Sequence, residues 1–462
     1  MMSNSNTNNK LTVAALTWPI FIEMLFRIML GNIDTIMLSK YSDNAVAAVG
    51  VVNQINNILI MLYWVVSTGT AVLVSQHLGA KNEKKASEVA VTATSSAILY
   101  GMVIGALVFL LSNPILRLLN VPEELMDYAL IYLRITGGLS VAQAMLATLS
   151  AIIRSYGHTR ITMYVTIGMN LFNVIGNSLF IFGLFGVPKL GVTGVAISTV
   201  AAQTLGFSVM LIVIMKNSRM KLNFKYLKPL PIQTIKGILK IGIPSAGEGA
   251  AYHLSQLTIT RIITEMGTMA LTTKVYTNNV MMFIMIFGIA VGQGTQIMVG
   301  HLVGAGKKEE AYRTCLKSLR VALLIVFCMS ILIFAFSKNL LELFTKDQAI
   351  IDLGSTLLLL SIFLEPGRVF NVVIINSLRA AGDVKFPVVM GVFSMWGVAV
   401  LLSFTLGLKL GLGLMGVWIA LGCDEWCRGL MMLFRWKSRA WQNMSLTDTS
   451  VNYKVQAAQN DS

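Results

Sequence analysis

Three ionisable residues share one face of the first apolar run. Residues 17–39 read TWPIFIEMLFRIMLGNIDTIMLS and carry Glu23, Arg27 and Asp34. At 100° per residue these three fall within about 40° of one another on a helix. A charge in hydrocarbon costs at least ~2.5–3.5 kcal/mol, and charges gathered on one face usually line a polar interior or a water-filled cavity. Glu23 and Arg27, at i and i+4, can neutralise each other as a structural ion pair. Asp34 has no basic neighbour at helical spacing on its own run. It is therefore the leading carboxylate for taking and releasing a proton or cation, with a carboxylate merely facing a partner helix as the alternative.

Amides accompany the carboxylates. Asn170, Asn173 and Asn177 lie within about 60° on the fifth apolar run, and Asn53, Asn57, Trp64 and Thr68 do so on the second. A buried carboxamide needs partners, so these stripes imply helix contacts or water, with cation ligation or proton relay as a further reading of the fifth run. The second half carries Glu248 and Tyr252 on its first run, and Asn278, Met282, Met285 and Gln296 along one face of the next. Methionine is a deformable lining suited to apolar ligands of varied shape, although a Met-rich packing seam reads the same way. Glu365 with Arg368, and Asp424 and Glu425 with Arg428, are spaced as self-satisfied ion pairs.

The elements that must position these residues are membrane helices. The chain has 462 residues, 55% hydrophobic and only 12% charged. That is about half the charge of a soluble protein. Apolar runs of about 20 residues, the length that crosses a bilayer core, recur near 16–39, 53–76, 89–111, 128–150, 161–185 and 192–215. Six more follow near 240–264, 276–300, 317–337, 352–375, 386–408 and 412–434. The expected architecture is an all-α polytopic membrane protein of twelve transmembrane helices. The domain plan is a tail (1–15), a six-helix lobe (16–215), a linker (216–239), a second six-helix lobe (240–437) and a polar tail (438–462). The first run is long enough to span as it stands and is not read as a cleavable leader.

Counting Lys and Arg in alternate connections gives 24 on the side of the N-terminus and 7 on the other. By the positive-inside rule both termini and the linker are then cytoplasmic, and the protein is a multi-pass component of the cell membrane. The net charge of +15 lies in these connections, which argues against a nucleic-acid partner. The bilayer and small cationic or amphipathic compounds are the expected partners, with the chain acting as a monomer. Cys328, Cys423 and Cys427 fall in apolar runs and Cys315 in a basic connection, a pattern that suggests neither disulfides nor a metal site. With no phosphate-binding loop of the G-x-x-x-x-G-K-[ST] type, an ATP-driven pump is not expected, nor is any cofactor beyond a coupling ion.

The two halves repeat. Laying Pro244 on Pro19 and advancing without a gap puts Glu248 on Glu23, Thr260 on Thr35, Asn278 on Asn53 and Gly294-Thr295 on Gly69-Thr70. The same shift pairs Gly79-Ala80 with Gly304-Ala305, Ser112 with Ser337, Arg154 with Arg379 and Gly157 with Gly382. Rare residues in one register mark an internal duplication. Each half has an even number of spans, so the halves enter from the same side as parallel repeats, with the functional site between or within them.

The P-x14-D-T-I-M of the first span, the turns S-Q-H-L-G-A-K and V-G-H-L-V-G-A-G-K, and S-L-R-A-A-G-D after the tenth span resemble the multidrug and toxic compound extrusion (MATE) family over residues 12–437. The resemblance implies two six-helix lobes around a V-shaped cavity. It also implies export of organic cations or other amphipathic compounds in exchange for H+ or Na+, by a transporter and not an enzyme. Asp34 matches the family's first-helix aspartate, implied to bind the coupling ion or proton, and Asn173 the fifth-helix asparagine of that site. Asn177 stands where many members have an aspartate, and Thr199 matches the sixth-helix threonine. In the second lobe, the place of a tenth-helix aspartate falls on Arg368, with Glu365 the nearest carboxylate, while Glu248 resembles the seventh-helix glutamate of sodium-coupled members. That lobe's candidate site is thus Glu248, Tyr252, Asn278 and Glu365. The expected substrate cavity is lined by Asn53, Asn57, Trp64, Met282 and Met285, and proton coupling through Asp34 is favoured over sodium. One rival is a lipid-linked oligosaccharide flippase of the same superfamily, its cavity lined by arginines such as Arg27, Arg134, Arg261, Arg368 and Arg428. A membrane-embedded enzyme and a channel are the others.

Overall fold

The fold is a computed structural model that describes residues 11–217, 220, 222–229 and 231–446. The first ten residues, the tail beyond 446, and Lys10, Arg219, Lys221 and Lys454 of the charge count lie outside the described residues. The first repeat comprises α1 (Val13–Ser39), α2 (Asp43–Gly79), α3 (Glu83–Leu118), α4 (Glu123–Gly138), α5 (Val141–Ser155), α6 (Thr159–Phe182) and α7 (Val192–Lys216). The second comprises α8 (Ile232–Thr264), α9 (Thr268–Gly304), α10 (Lys308–Ala335), the short α11 (Ser337–Glu342), α12 (Gln348–Ala381), α13 (Lys385–Ser394) and α14 (Gly413–Lys437). Two π-helical stretches, Met395–Val400 and Ser403–Lys409, carry α13 onward as one span.

Among the described residues, nine helices are long and apolar enough to cross a bilayer, and α4 with α5 makes a tenth as a pair bent by 44°. The other two spans are α8, of 33 residues, and α14, of 25, whose apolar runs are diluted by Glu248 and His253 and by Asp424, Glu425 and Arg428. The chain is therefore an all-α bundle of twelve spans. Several helices outrun the apolar windows that announced them. The longest, α2 and α9, have 37 residues each. At about 1.5 Å per residue such a helix reaches about 55 Å, well beyond a hydrocarbon core of about 30 Å. For the same reason Cys315, read as part of a connection, is buried inside α10, and α8 begins within the stretch read as linker. The fourth span breaks at Leu139 and Ser140, where the Gly138 carbonyl comes so close to Gly105 of α3 that a Cβ there would overlap it.

The register that aligns the two halves of the sequence also aligns their helices. Asp43 and Gly79 bound α2, and their mates Thr268 and Gly304 bound α9, while Glu83 and Glu123 fall on Lys308 and Gln348, the first residues of α10 and α12. The first and last pairs slip: α8 starts at Ile232, well before the mate of Val13, and α14 at Gly413, about one helical turn before the mate of Val192.

The lobes meet through α1 on α9 and α2 on α8 and α9. At the end of the bundle holding the α2–α3 and α9–α10 turns, α2 and α9 cross backbone to backbone. A Cβ on Gly79 would overlap the His301 carbonyl oxygen, and one on its repeat mate Gly304 would overlap that of Gln76. Paired hydrogen bonds close the same end. Gln76 Nε2 donates to the Ala380 carbonyl at 2.7 Å, and His301 Nε2 to the Ser155 carbonyl, also at 2.7 Å. Gln76 and His301 are mates under the shift, as are Ser155 and Ala380. The segment after α14 straps this face: Trp441 stacks on Trp436 at 4.2 Å, and the Leu446 amide donates to Gln76 Oε1 at 3.0 Å.

Candidate functional site

Asp34 sits in the last turns of α1, about 8 Å along the axis from its end and opposite the crossing of α2 and α9. α1 packs against α6, whose three asparagines are all buried. Asn170 Nδ2 donates to the Phe26 carbonyl at 2.8 Å, which sets the register of the two helices. Phe26 and Asp34 are about two turns apart on α1, as are Asn170 and Asn177 on α6, so the same faces meet again. There Asn177 Nδ2 donates to Asp34 Oδ1 at 2.7 Å. Asn173 lies between Asp34 and Thr199 of α7. With its carboxamide turned so that Nδ2 faces Asp34 at 2.8 Å, its Oδ1 accepts from Thr199 Oγ1 at 3.2 Å. Asp34, Asn173, Asn177 and Thr199, distant in sequence, are thus one hydrogen-bonded group.

Asp34 and Thr199 border a cavity of about 350 Å³ inside the first lobe. α2 contributes Asn53, Asn56 and Asn57, α4 contributes Tyr132 and Thr136, α5 contributes Gln143, and α7 adds Gln203. Asp34 is the one carboxylate of the lining, and no lysine, arginine or histidine joins it. Sequence reading found Asn53 and Asn57 but missed the others. Gln203 had a signal, since it stands one turn from Thr199. Gln143 and Thr136 had none, because a break between α4 and α5 decides which way they face.

Three residues expected to line a substrate cavity do not line this one. Trp64 shares the helical face of Asn53 and Asn57 but is about two turns further along α2. It lies past the last α2 lining residue, Ile60, and is 55% exposed. Met282 and Met285 belong to α9 and are absent from the lining, while Asn278, the mate of Asn53, is exposed.

The expected pair of Glu23 with Arg27 is present, but Arg27 is not the nearest partner. Glu23 is 1% exposed and is bonded by Arg154 at the end of α5 and by Thr162 Oγ1 at 2.8 Å, whereas Arg27 is 54% exposed and 3.5 Å away. The repeat reproduces this: Arg379 Nη2 lies 2.6 Å from Glu248 Oε2. Arg154 goes further and donates to Gln293 Oε1 of α9 at 2.8 Å, which ties the lobes together. Glu248 is thereby taken up by Arg379 and does not join the other residues of the expected second-lobe site.

Of those others, Glu365 and Tyr252 lie in a separate network and Asn278 does not join it. Arg428 reaches Asp424 at 2.7 Å and Glu425 at 3.0 Å, and Arg368 reaches Glu365 at 2.5 Å and Glu425 at 3.7 Å. Asn371 donates to Glu425 at 3.0 Å, Ser394 donates to Asp424 at 2.6 Å, and Tyr252 faces the same charges. The two ion pairs read from spacing are one five-member charge network, because α12 and α14 pack face to face.

Known proteins give the same picture. The MatE family model matches twice, at residues 19–179 and 244–405, so its two copies start at the repeat mates Pro19 and Pro244. The chain is 49% identical over 427 residues, 92% of its length and 94% of the relative's, to the uncharacterized transporter YisQ of Bacillus subtilis. It is 29% identical over 437 residues, 93% of each chain, to the probable multidrug resistance protein NorM of Thermotoga maritima. Among solved structures, a MOP superfamily transporter from Pyrococcus furiosus superposes with a TM-score of 0.85 at 18% identity, covering 92% of this chain and 95% of that one. An outward-facing multidrug resistance MATE transporter matches with the same figures. A duplicated twelve-helix bundle matched by the family model in each of its repeats is a transporter and not an enzyme, and this chain belongs to the MATE family of efflux transporters.

Proposed function

We propose that this transporter is a secondary active antiporter of the cell membrane that exports organic cations or other amphipathic compounds in exchange for protons. Asp34 is its coupling residue. The observation that carries this reading is the placement of one carboxylate at the wall of a polar cavity, bonded to Asn177 and Asn173 and next to Thr199. A cation entering the cavity and a proton compete for the same carboxylate, so each occupant expels the other. Asp34 is the one carboxylate of the cavity lining, and Asn177 stands where a second acidic ligand would be. One titrating group without a second acidic ligand favours the proton. The lobes at 16–215 and 240–437 rock against each other, and release at the crossing of α2 and α9 opens the opposite end of the path. The excess of Lys and Arg on the turn side supports cytoplasmic termini and linker. One chain supplies both repeats, which supports a monomer.

In the second lobe, Glu248 serves as a structural partner of Arg379, and Glu365, Arg368, Asp424, Glu425 and Arg428 serve as a self-neutralising network with Tyr252. The flippase alternative is disfavoured by the arginines themselves. Arg368 and Arg428 are bound to carboxylates, Arg261 is largely exposed beside Glu265, and the cavity lining holds none.

The test is Asp34→Asn, which keeps the shape and removes the charge. Dye efflux is measured in everted vesicles with a proton or a sodium gradient imposed separately, alongside membrane abundance. The variant is expected to insert at the parent's level and to lose proton-driven efflux. Efflux at the parent's rate, or efflux driven by sodium alone, overturns the reading.

A further inference from the structure

The cavity around Asp34 has a composition that restricts what it can hold. Its one carboxylate, with no cationic side chain in the lining, balances a single positive charge. Its remaining polar groups are neutral and come from several directions: Asn53 and Asn57 from α2, Gln143 from α5, and Thr199 and Gln203 from α7. Tyr132 is the one aromatic ring, and Phe, Trp and Met are absent from the lining. Its apolar wall is the aliphatic Leu38, Val49, Ile60 and Val195, so the site lacks the paired flat faces and the methionines that suit a polyaromatic cation. Asn56 is occupied in part, donating to Thr136 at 3.3 Å. An apolar ligand would strip water from the exposed lining amides Asn53 and Asn57 without replacing its hydrogen bonds, which is costly. The cavity's volume of about 350 Å³ stands near the lower end of what drug-sized ligands occupy, roughly 300–1,000 Å³.

We propose that the substrate of this transporter is a compact monocation bearing several hydroxyl or amide groups. Its charge is met by Asp34 and its hydrogen-bonding groups by the Gln143, Gln203, Asn53 and Asn57 carboxamides. This rests on the reading of Asp34 as the coupling residue and names the class of cation exchanged there.

The experiment uses the full chain in proteoliposomes under an imposed pH gradient and compares three permanently charged monocations. Tris(2-hydroxyethyl)methylammonium carries three hydroxyls. Tetraethylammonium matches its charge and size without them, and ethidium is flat and aromatic. The hydroxylated cation is expected to exchange for protons with a half-saturating concentration at least tenfold below that of tetraethylammonium, and ethidium to be the poorest. Gln143→Leu and Gln203→Leu are each expected to raise the half-saturating concentration of the hydroxylated cation about tenfold and to narrow or erase its advantage over tetraethylammonium. Equal or better handling of tetraethylammonium or ethidium by the parent protein overturns the proposal, and that comparison needs no variant to fold. If such transport is abolished by Asp34→Asn, the coupling site stands and only the substrate class is wrong. If the parent exchanges none of the three for protons, the antiport reading fails and the class fails with it.

Discussion

Replacing Arg154 by Met should destabilise the protein far more than replacing Arg27 by Met, although spacing alone makes Arg27 the obvious partner of Glu23. Arg154 bonds a carboxylate that is 1% exposed, its own side chain is 17% exposed, and it also holds Gln293 of the other lobe at 2.8 Å. Removing one member of a buried pair leaves the other charge without compensation, at a cost of about 3–5 kcal/mol. The partial exposure of Arg154 and the contact that Glu23 retains with Thr162 put the expected value near the low end, about 3 kcal/mol. Arg27 is half exposed and 3.5 Å from Glu23. Its loss should therefore cost under about 1 kcal/mol. In the double variant Glu23→Gln/Arg154→Met no buried charge is left stranded. Part of the loss should return there, a coupling that a double-mutant cycle completed by Glu23→Gln isolates. The assay is thermal unfolding of detergent-solubilised protein, with the four variants and the parent purified in parallel. If Arg154→Met and Arg27→Met melt together, or if the double variant is no better than Arg154→Met alone, the assignment of Glu23 to Arg154 is wrong.

Further outcomes follow from the same geometry. A cysteine at Asn57 should react with a polar thiol reagent and be protected by a transported cation, whereas one at Met282, outside the cavity, should show no protection. Protection at both positions would mean that the two lobes share one substrate cavity. Gly304→Val should force the Gln76 carbonyl away from α9 and weaken the contact between lobes, an overpacking cost of about 1–3 kcal/mol. It should raise the reactivity of a cysteine placed at Ser75, and unchanged reactivity would show that the crossing does not close that end. A reporter fused after Lys225 should read as cytoplasmic and one inserted within 346–349 as external, and the reverse pattern would invert the orientation.

What the sequence determined by itself was everything that depends on composition and periodicity along one helix. Apolar length set the spans, because only about 20 apolar residues in a row can replace water with lipid. The shared register of rare residues anticipated the bounds of α2 and α9, since a duplicated sequence places its helix ends at duplicated positions. Angular spacing put Asn173 and Asn177 on one face and singled out Asp34, and family likeness added Thr199. The packing of α6 and α7 against α1 then joined all four. The tertiary structure alone decided partners. The i,i+4 pair of Glu23 and Arg27 does meet, yet Arg154, 131 positions away, holds Glu23 more closely and is the more buried of the two arginines. The same holds for Trp64, whose face agrees with Asn53 and Asn57 while its depth does not. Helical angle can be read from residue spacing, but the depth at which a cavity begins and ends is set by how neighbouring helices cross and break, as α4 and α5 do at Leu139.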